Sequence, residues 1–173
     1  TALTDALTGL RNRRGFEIDS SRYFRSGSVT PLFLLILDID HFKLINDQYG
    51  HAAGDAVLTR VAGSVRNHEG AHGISARIGG EEFALALPAV DREGAEKAAN
   101  LLREAIAAGR TPHEQTELQC TISLGIAQRQ DGDDLASLCA RADQALYVSK
   151  RAGRDRISWA VPSEEAGLAP MMT

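Results

Sequence analysis

The longest uninterrupted apolar stretch, Leu32-Phe33-Leu34-Leu35-Ile36-Leu37, runs straight into two acids, Asp38 and Asp40. A continuous apolar run of this length predicts a strand over 32–39 that is buried on both faces. It is far short of the ~20 apolar residues that a membrane-spanning helix needs. Before it, Asn12 as N-cap and an apolar face of Phe16, Tyr23 and Phe24 predict a helix over 12–25. After it, Val57, Leu58, Val61 and Val65 recur at helical spacing and predict a helix over 53–68. Two short apolar runs, 74–78 and 82–87, flank Gly79-Gly80 and read as a β-hairpin. Residues 91–108 are Ala-rich and helical, with Asp91 as cap. Ile122, Leu124 and Ile126 alternate, which predicts a strand over 119–128. A helix over 134–151 turns Leu135, Leu138, Cys139, Ala142 and Leu146 inward, and a short strand over 156–160 follows. Beyond that the periodicity lapses. One domain over 1–160 and a flexible tail over 161–173 are expected.

The central order is β-α-β-β-α-β with extra elements at each end. It predicts an α+β fold built on a ferredoxin-like antiparallel sheet with helices against it. This topology sends the end of the first strand and the tip of the hairpin to the same edge of the molecule. Asp38 and Asp40 should therefore meet Glu81 and Glu82, although the two pairs are about 40 residues apart in sequence.

Composition narrows the class. The chain has 173 residues, 19 Lys plus Arg, 23 Asp plus Glu, and a net charge of −4. One ordinary soluble domain fits that length, and an acidic chain is no general nucleic-acid binder. Two cysteines, Cys120 and Cys139, make no disulfide framework and are expected as buried free thiols. The five histidines show no zinc spacing and are expected to ligate nothing. Neither a P-loop nor a dinucleotide fingerprint occurs. The chain opens on Thr1 with no signal peptide. It is expected to be the cytoplasmic output end of a longer protein whose sensory or membrane-anchored portion lies elsewhere.

Acids at the exit of a hydrophobic strand have an ordinary explanation, a solvated strand end. Two acidic segments meeting at a Gly-Gly turn favour a second one, a site for a hard cation. Mg²⁺ takes oxygen ligands and is commonly held by one or two carboxylates plus substrate phosphates. Glycines let a bulky ligand approach the backbone.

Gly79-Gly80-Glu81-Glu82-Phe83 resembles the signature of the GGDEF family, the diguanylate cyclase catalytic domains. Four further segments agree in order and spacing: Asp5 to Arg14, Asp38 to Asp47, Gly50 to Asp55, and Ala142 to Tyr147 with Lys150 to Arg154. The resemblance covers about residues 4–158. It implies a palm-like fold and an enzyme that condenses two GTP into cyclic di-GMP, releasing two pyrophosphates. It implies two Mg²⁺ or Mn²⁺ per active site and a homodimer in which each subunit holds one GTP.

By the same resemblance, Asp38, the Ile39 carbonyl and Glu81 hold metal. Glu81 and Glu82 carry the catalytic work of activating a 3′-hydroxyl against an α-phosphate. Asn46 and Asp55 read guanine, whose Watson–Crick edge presents N–H donors that a carboxylate accepts. Lys43, Lys150 and Arg154 contact phosphates, with the Phe42 backbone beside them. Gly79 and Gly80 leave room for the nucleotide. Plainer roles compete at several of these positions: a helix cap at Asp55, an Asx turn at Asn46, core packing at Phe42, and helix-terminus charge at Lys150 and Arg154.

One departure stands out. Many members carry an inhibitory Arg-x-x-Asp nine to six residues before the first signature glycine. Here those positions are Gly70 and Gly73. The expectation is a domain without that product-feedback site. The competing class of function is a non-catalytic GTP-binding or dimerisation module.

Overall fold

The computed structural model describes residues 2–162; the expected tail beyond Pro162 lies outside them. Six apolar residues in a row, followed by Asp38 and Ile39, give β1, Leu32–Ile39, with all eight positions buried. It is the middle of a five-stranded sheet in the order β2-β3-β1-β6-β7, with β2 Ile74–Arg77, β3 Glu82–Pro88, β6 Ile122–Gln128 and β7 Ile157–Trp159. The three pairings among β2, β3, β1 and β6 follow the predicted ferredoxin-like order and are antiparallel; β7 extends the sheet by running parallel to β6.

Alternation along β1 divides the core in two. Phe33, Leu35, Leu37 and Ile39 face α3, His51–Asn67, and α4, Arg92–Ala108. Leu32, Leu34 and Ile36 face α1, Arg13–Ser20, and α5, Leu135–Arg151. Asp38 belongs by parity to the α5 side. Gly125 in β6 determines how close α5 comes. A Cβ there would lie 2.1 Å from the Ala142 carbonyl oxygen and 2.3 Å from the Leu146 nitrogen. Only a residue without a side chain lets the helix rest on the strand backbone.

Three local elements depart from the sequence pattern or fall outside it. The first helix stops at Ser20 and tightens into a 3₁₀ turn over Ser21–Phe24, because the Ser21 hydroxyl donates to the Ile18 carbonyl at 2.7 Å and competes with helical bonding. Residues to which the sequence pattern assigned no element form α2, Phe42–Tyr49. Phe42 and Ile45, three apart, turn toward the core while Leu44 is 60% exposed, and two turns are too short to show a clear helical period. Residues 111–118 form a separate hairpin, β4 Thr111–His113 and β5 Thr116–Leu118. Pro112 and a left-handed Glu114 hide it from a strand pattern. The caps Asn12 and Asp91 are where the sequence placed them, each accepting a backbone N–H three residues on. Both cysteines are free; Cys120 is buried, but Cys139 is only half-buried.

Candidate active site

The sheet register brings the acids together. Asp38 pairs with Glu82 across β1 and β3 and with Ser123 across β1 and β6. The Ile39 N–H donates to the Glu81 carbonyl at 3.3 Å, which ties the signature turn to the end of β1. Asp38 is 8% exposed, and its Oδ2 accepts Lys150 Nζ from α5 at 2.6 Å. Glu81 lies beside Asp38. Burial, and then the neighbouring Asp38 charge, push its carboxyl above the usual range, with Lys150 opposing.

Glu82 faces a different partner. It meets Asp143 of α5, a contact the sequence did not suggest. Burial first, then the charges of Asp143 and Asp38, raise Glu82 to about 7, against the pull of Arg13 from α1. Asp40 also leaves the cluster: it is 6% exposed and is bonded by the Thr121 and Ser123 hydroxyls. The four gathered acids therefore separate into an Asp38–Glu81 pair, a Glu82–Asp143 pair and a structural Asp40.

The signature turn is gripped from outside. Arg77 sends Nε and Nη2 to the Gly80 carbonyl, at 2.9 and 2.6 Å, and Nη1 to both Asp5 oxygens, at 3.1 and 3.2 Å. Asp5 in turn accepts the Thr8 hydroxyl and N–H. Burial pushes the Asp5 carboxyl up, but Thr8 and Arg77 together hold it below the usual range. Arg77 was missed from sequence, since nothing in an isolated Arg two residues before Gly79 signals a clamp.

Asn46 and Asp55 come from facing helices. Gly54 of α3 is buried against Asn46 of α2; a Cβ there would fall 1.9 Å from Asn46 Oδ1. Asn46 lies in a helix and not in a turn, and Asp55 lies inside α3 and not at its cap, so both plainer roles are set aside. Asp55 is exposed and lines an open groove with Leu7, Thr59, Arg60 and Arg110. Phe42 opens α2 and is buried in the α3–α4 core, 7% exposed, so its side chain packs; its backbone sits in the first helical turn, where N–H groups lack helical partners. Lys43 is solvent-exposed, 3.6 Å from Asp47. Arg154 is exposed in the left-handed turn that follows α5.

Among the described residues no three His, Cys, Asp or Glu side chains converge tightly enough to hold a metal alone. Two neighbouring carboxylates, with Glu81 pushed above its usual range by burial and by the Asp38 charge, are nonetheless a cation-seeking pair, and Lys150 supplies one positive charge. Such a donor set fits an ion shared with substrate phosphates better than a closed protein cage.

This sheet order, with carboxylates at the exit of the central strand and a lysine facing them, defines a palm-type α+β domain. The family model described as "Diguanylate cyclase, GGDEF domain" matches residues 2–156, and the chain belongs to this family. It is 45% identical over 160 residues to Diguanylate cyclase DgcP of Pseudomonas aeruginosa, covering 90% of this chain and 24% of that protein. It is 37% identical to Diguanylate cyclase VdcA of Vibrio cholerae, covering 90% and 46%. The chain thus spans between a quarter and a half of these curated relatives. The GGDEF domain of DgcB from Caulobacter crescentus, solved in complex with c-di-GMP, is similar with a TM-score of 0.85 at 35% identity, over 94% of this chain and 95% of that one. The GGDEF domain of PA1120 from Pseudomonas aeruginosa is similar with a TM-score of 0.87 at 33% identity, over 96% and 99%. Among the described residues no helix is long and apolar enough to cross a membrane.

Proposed function

We propose that this domain is an active diguanylate cyclase that condenses two GTP into cyclic di-GMP and releases two pyrophosphates. The observation that carries the reading is the Asp38–Glu81 pair at the end of β1 with Lys150 2.6 Å from Asp38, in a chain of this family. Asp38, Glu81 and the Ile39 carbonyl are read as the ligands for Mg²⁺ or Mn²⁺, two ions per site. Bound there, the metal supplies Lewis acidity to the 3′-hydroxyl and offsets charge on the α-phosphate.

The residues of the chain do the positioning. Asp55 accepts the N–H donors of guanine's Watson–Crick edge, and Asn46 complements the rest of the base. Adenine lacks that donor pattern and would leave Asp55 unpaired. Lys150 exchanges Asp38 for a phosphate oxygen when nucleotide arrives. Lys43, Arg154 and the N–H groups at the start of α2 take further phosphate oxygens. Gly79 and Gly80 give the nucleotide access to the turn. Glu81 accepts the proton of the attacking hydroxyl, and Glu82 shares that work through its raised proton affinity.

Each site contributes one GTP, so two copies must meet face to face about a two-fold axis. Control of that geometry is the natural entry point for a sensory portion of the parent protein. The test is incubation with GTP and Mg²⁺ across protein concentrations, followed by product separation. Cyclic di-GMP should appear with a rate that rises faster than linearly with enzyme. No cyclic product at high enzyme concentration refutes the reading.

Gly70 and Gly73 offer neither guanidinium nor carboxylate where many relatives carry an inhibitory Arg-x-x-Asp. The domain is therefore read as free of that feedback. Turnover should be unchanged as cyclic di-GMP is added; strong non-competitive inhibition contradicts this.

A further inference from the structure

We propose that Asp40 is a positioning residue for Arg154, acting through the backbone of the turn that follows α5. The inference rests on Arg154 being a triphosphate contact, and it assigns a role to an acid that the mechanism above leaves unused.

Asp40 is buried, and both of its carboxylate oxygens are committed. Oδ1 accepts the Ser123 hydroxyl at 2.6 Å. Oδ2 accepts the Thr121 hydroxyl at 2.7 Å and the backbone N–H of Asp155 at 3.1 Å. Burying a carboxylate is costly unless such donors surround it. The two hydroxyls come from the neighbouring strand, Ser123 within β6 and Thr121 just before it. The third donor comes from 115 residues away and belongs to the turn carrying Arg154.

That turn needs an anchor. Arg154 and Asp155 have φ of 64° and 46°, two consecutive left-handed residues, neither of them glycine. A side chain disfavours this conformation, and runs of it persist only where surroundings over-determine them. Three contacts do so here. The Arg154 N–H donates to the Ser149 carbonyl at 3.0 Å. The Asp155 N–H donates to Asp40, and the Asp155 carboxylate accepts Arg103 Nη1 of α4 at 3.0 Å.

The exit of β1 thus sets both cations. Asp38 holds Lys150 by its side chain, and Asp40 holds Arg154 by its backbone. Asp38 is the penultimate residue of β1, and Asp40 is the first residue beyond its end. With the turn fixed, the backbone that carries Arg154 is already ordered before nucleotide arrives, and little ordering is left for the binding step.

The experiment measures affinity for 3′-deoxy-GTP and for 3′-deoxyguanosine in Mg²⁺, by calorimetry and ligand-observed NMR. Without a 3′-hydroxyl neither can react, so binding is read apart from turnover. The proteins are wild type, Arg154→Ala, Asp40→Asn, Asp155→Pro and the double variant Asp40→Asn with Asp155→Gly. Asp155→Pro sits in an exposed turn; it removes the N–H and forbids positive φ, which breaks the link without touching the buried acid. Thermal unfolding checks that each is folded.

Arg154→Ala, Asp40→Asn and Asp155→Pro should each lose roughly tenfold in triphosphate affinity, the scale of one charge-assisted contact. Nucleoside affinity should not move. Glycine adopts positive φ freely, so the double variant should regain part of the loss. A purely structural role for Asp40 would weaken triphosphate and nucleoside together, without rescue. Wild-type triphosphate affinity in Asp40→Asn or Asp155→Pro overturns the inference and leaves the reading of Arg154 standing. A wild type that binds no triphosphate, or Arg154→Ala binding as wild type, overturns that reading and the inference with it.

Discussion

Asp38 and Glu82 stand opposite each other in the β1–β3 register, yet their carboxylates answer to different partners: Asp38 to Lys150 at 2.6 Å, and Glu82 to Asp143. One cross-strand pair therefore carries two chemistries. One is paired with a cation and poised to exchange it. The other is an acid pair that keeps a proton near neutrality.

The first prediction concerns the cation-seeking pair. Asp38→Ala and Glu81→Ala should each lower cyclic di-GMP formation by at least ~100-fold, since losing even an outer-shell partner of a metal ligand costs up to about that much. The sheet should remain intact, because both side chains lie at the edge of the core. Circular dichroism and turnover together check this, and full activity in either variant sinks the metal assignment.

The second concerns Glu82, raised to about 7 by burial and by Asp143. A carboxyl whose folded value lies above its unfolded value favours folding when protonated. Its contribution is complete below about 4.5 and is lost as pH rises through about 7. Glu82→Gln mimics the protonated form at every pH. In metal-free buffer the variant should match wild type at pH 5 and exceed it at pH 8. The position is half-exposed and solvent-screened, so the gain is of order 1 kcal/mol, or about 2–4 °C in Tm for a domain of this size. An equal offset at both pH values would contradict the assignment.

The third tests the α2–α3 seat. In Gly54→Ala the new Cβ would fall 1.9 Å from Asn46 Oδ1 and 3.1 Å from Phe42 Cζ, so Asn46 must turn away. Overpacking of this kind costs about 1–3 kcal/mol. The specific effect is on base choice. KM for GTP should rise severalfold while competition by inorganic triphosphate is unchanged. A variant that loses stability but discriminates GTP from ATP as before would remove Asn46 from guanine recognition.

The sequence made the sheet legible because its signals are local and redundant: six consecutive apolar residues for β1, strict alternation at Ile122, Leu124 and Ile126, and side-chain caps at Asn12 and Asp91. Topology then put Asp38 beside Glu81 and Glu82 without any coordinate. What escaped were features that exist only after packing. α2 is only two turns long, and exposed Lys43 and Leu44 interrupt its Phe42–Ile45 face, so its period was weak. The separation of Asp40 from Asp38, and the meeting of Glu82 with Asp143, depend on which neighbouring strand or helix offers a donor. Spacing says nothing about that. Gly54 and Gly125 were unremarkable as letters; their importance lies in the atoms that approach them.

The last prediction follows from the clamp on the signature turn. Arg77 joins Asp5, at the start of the chain, to the Gly80 carbonyl, so removing it frees the turn from one side and strands a part-buried carboxylate on the other. Arg77→Ala should destabilise the fold by about 1–3 kcal/mol, the cost of leaving such a group unsatisfied. It should also lower kcat more than it raises KM, because Glu81 follows directly on Gly80 while guanine and phosphate contacts lie elsewhere. Arg77→Lys keeps the charge but not the fork that reaches two partners at once, so it should recover stability better than kcat. Asp5 adds a pH signature. Its carboxyl lies below the ordinary range in the folded protein, so its contribution is present above that range and fades as pH falls through its folded value. Wild type should therefore lose stability toward acid more steeply than Arg77→Ala in thermal unfolding between pH 6 and about pH 3. Parallel curves would show that the Asp5–Arg77 pair does not brace the turn.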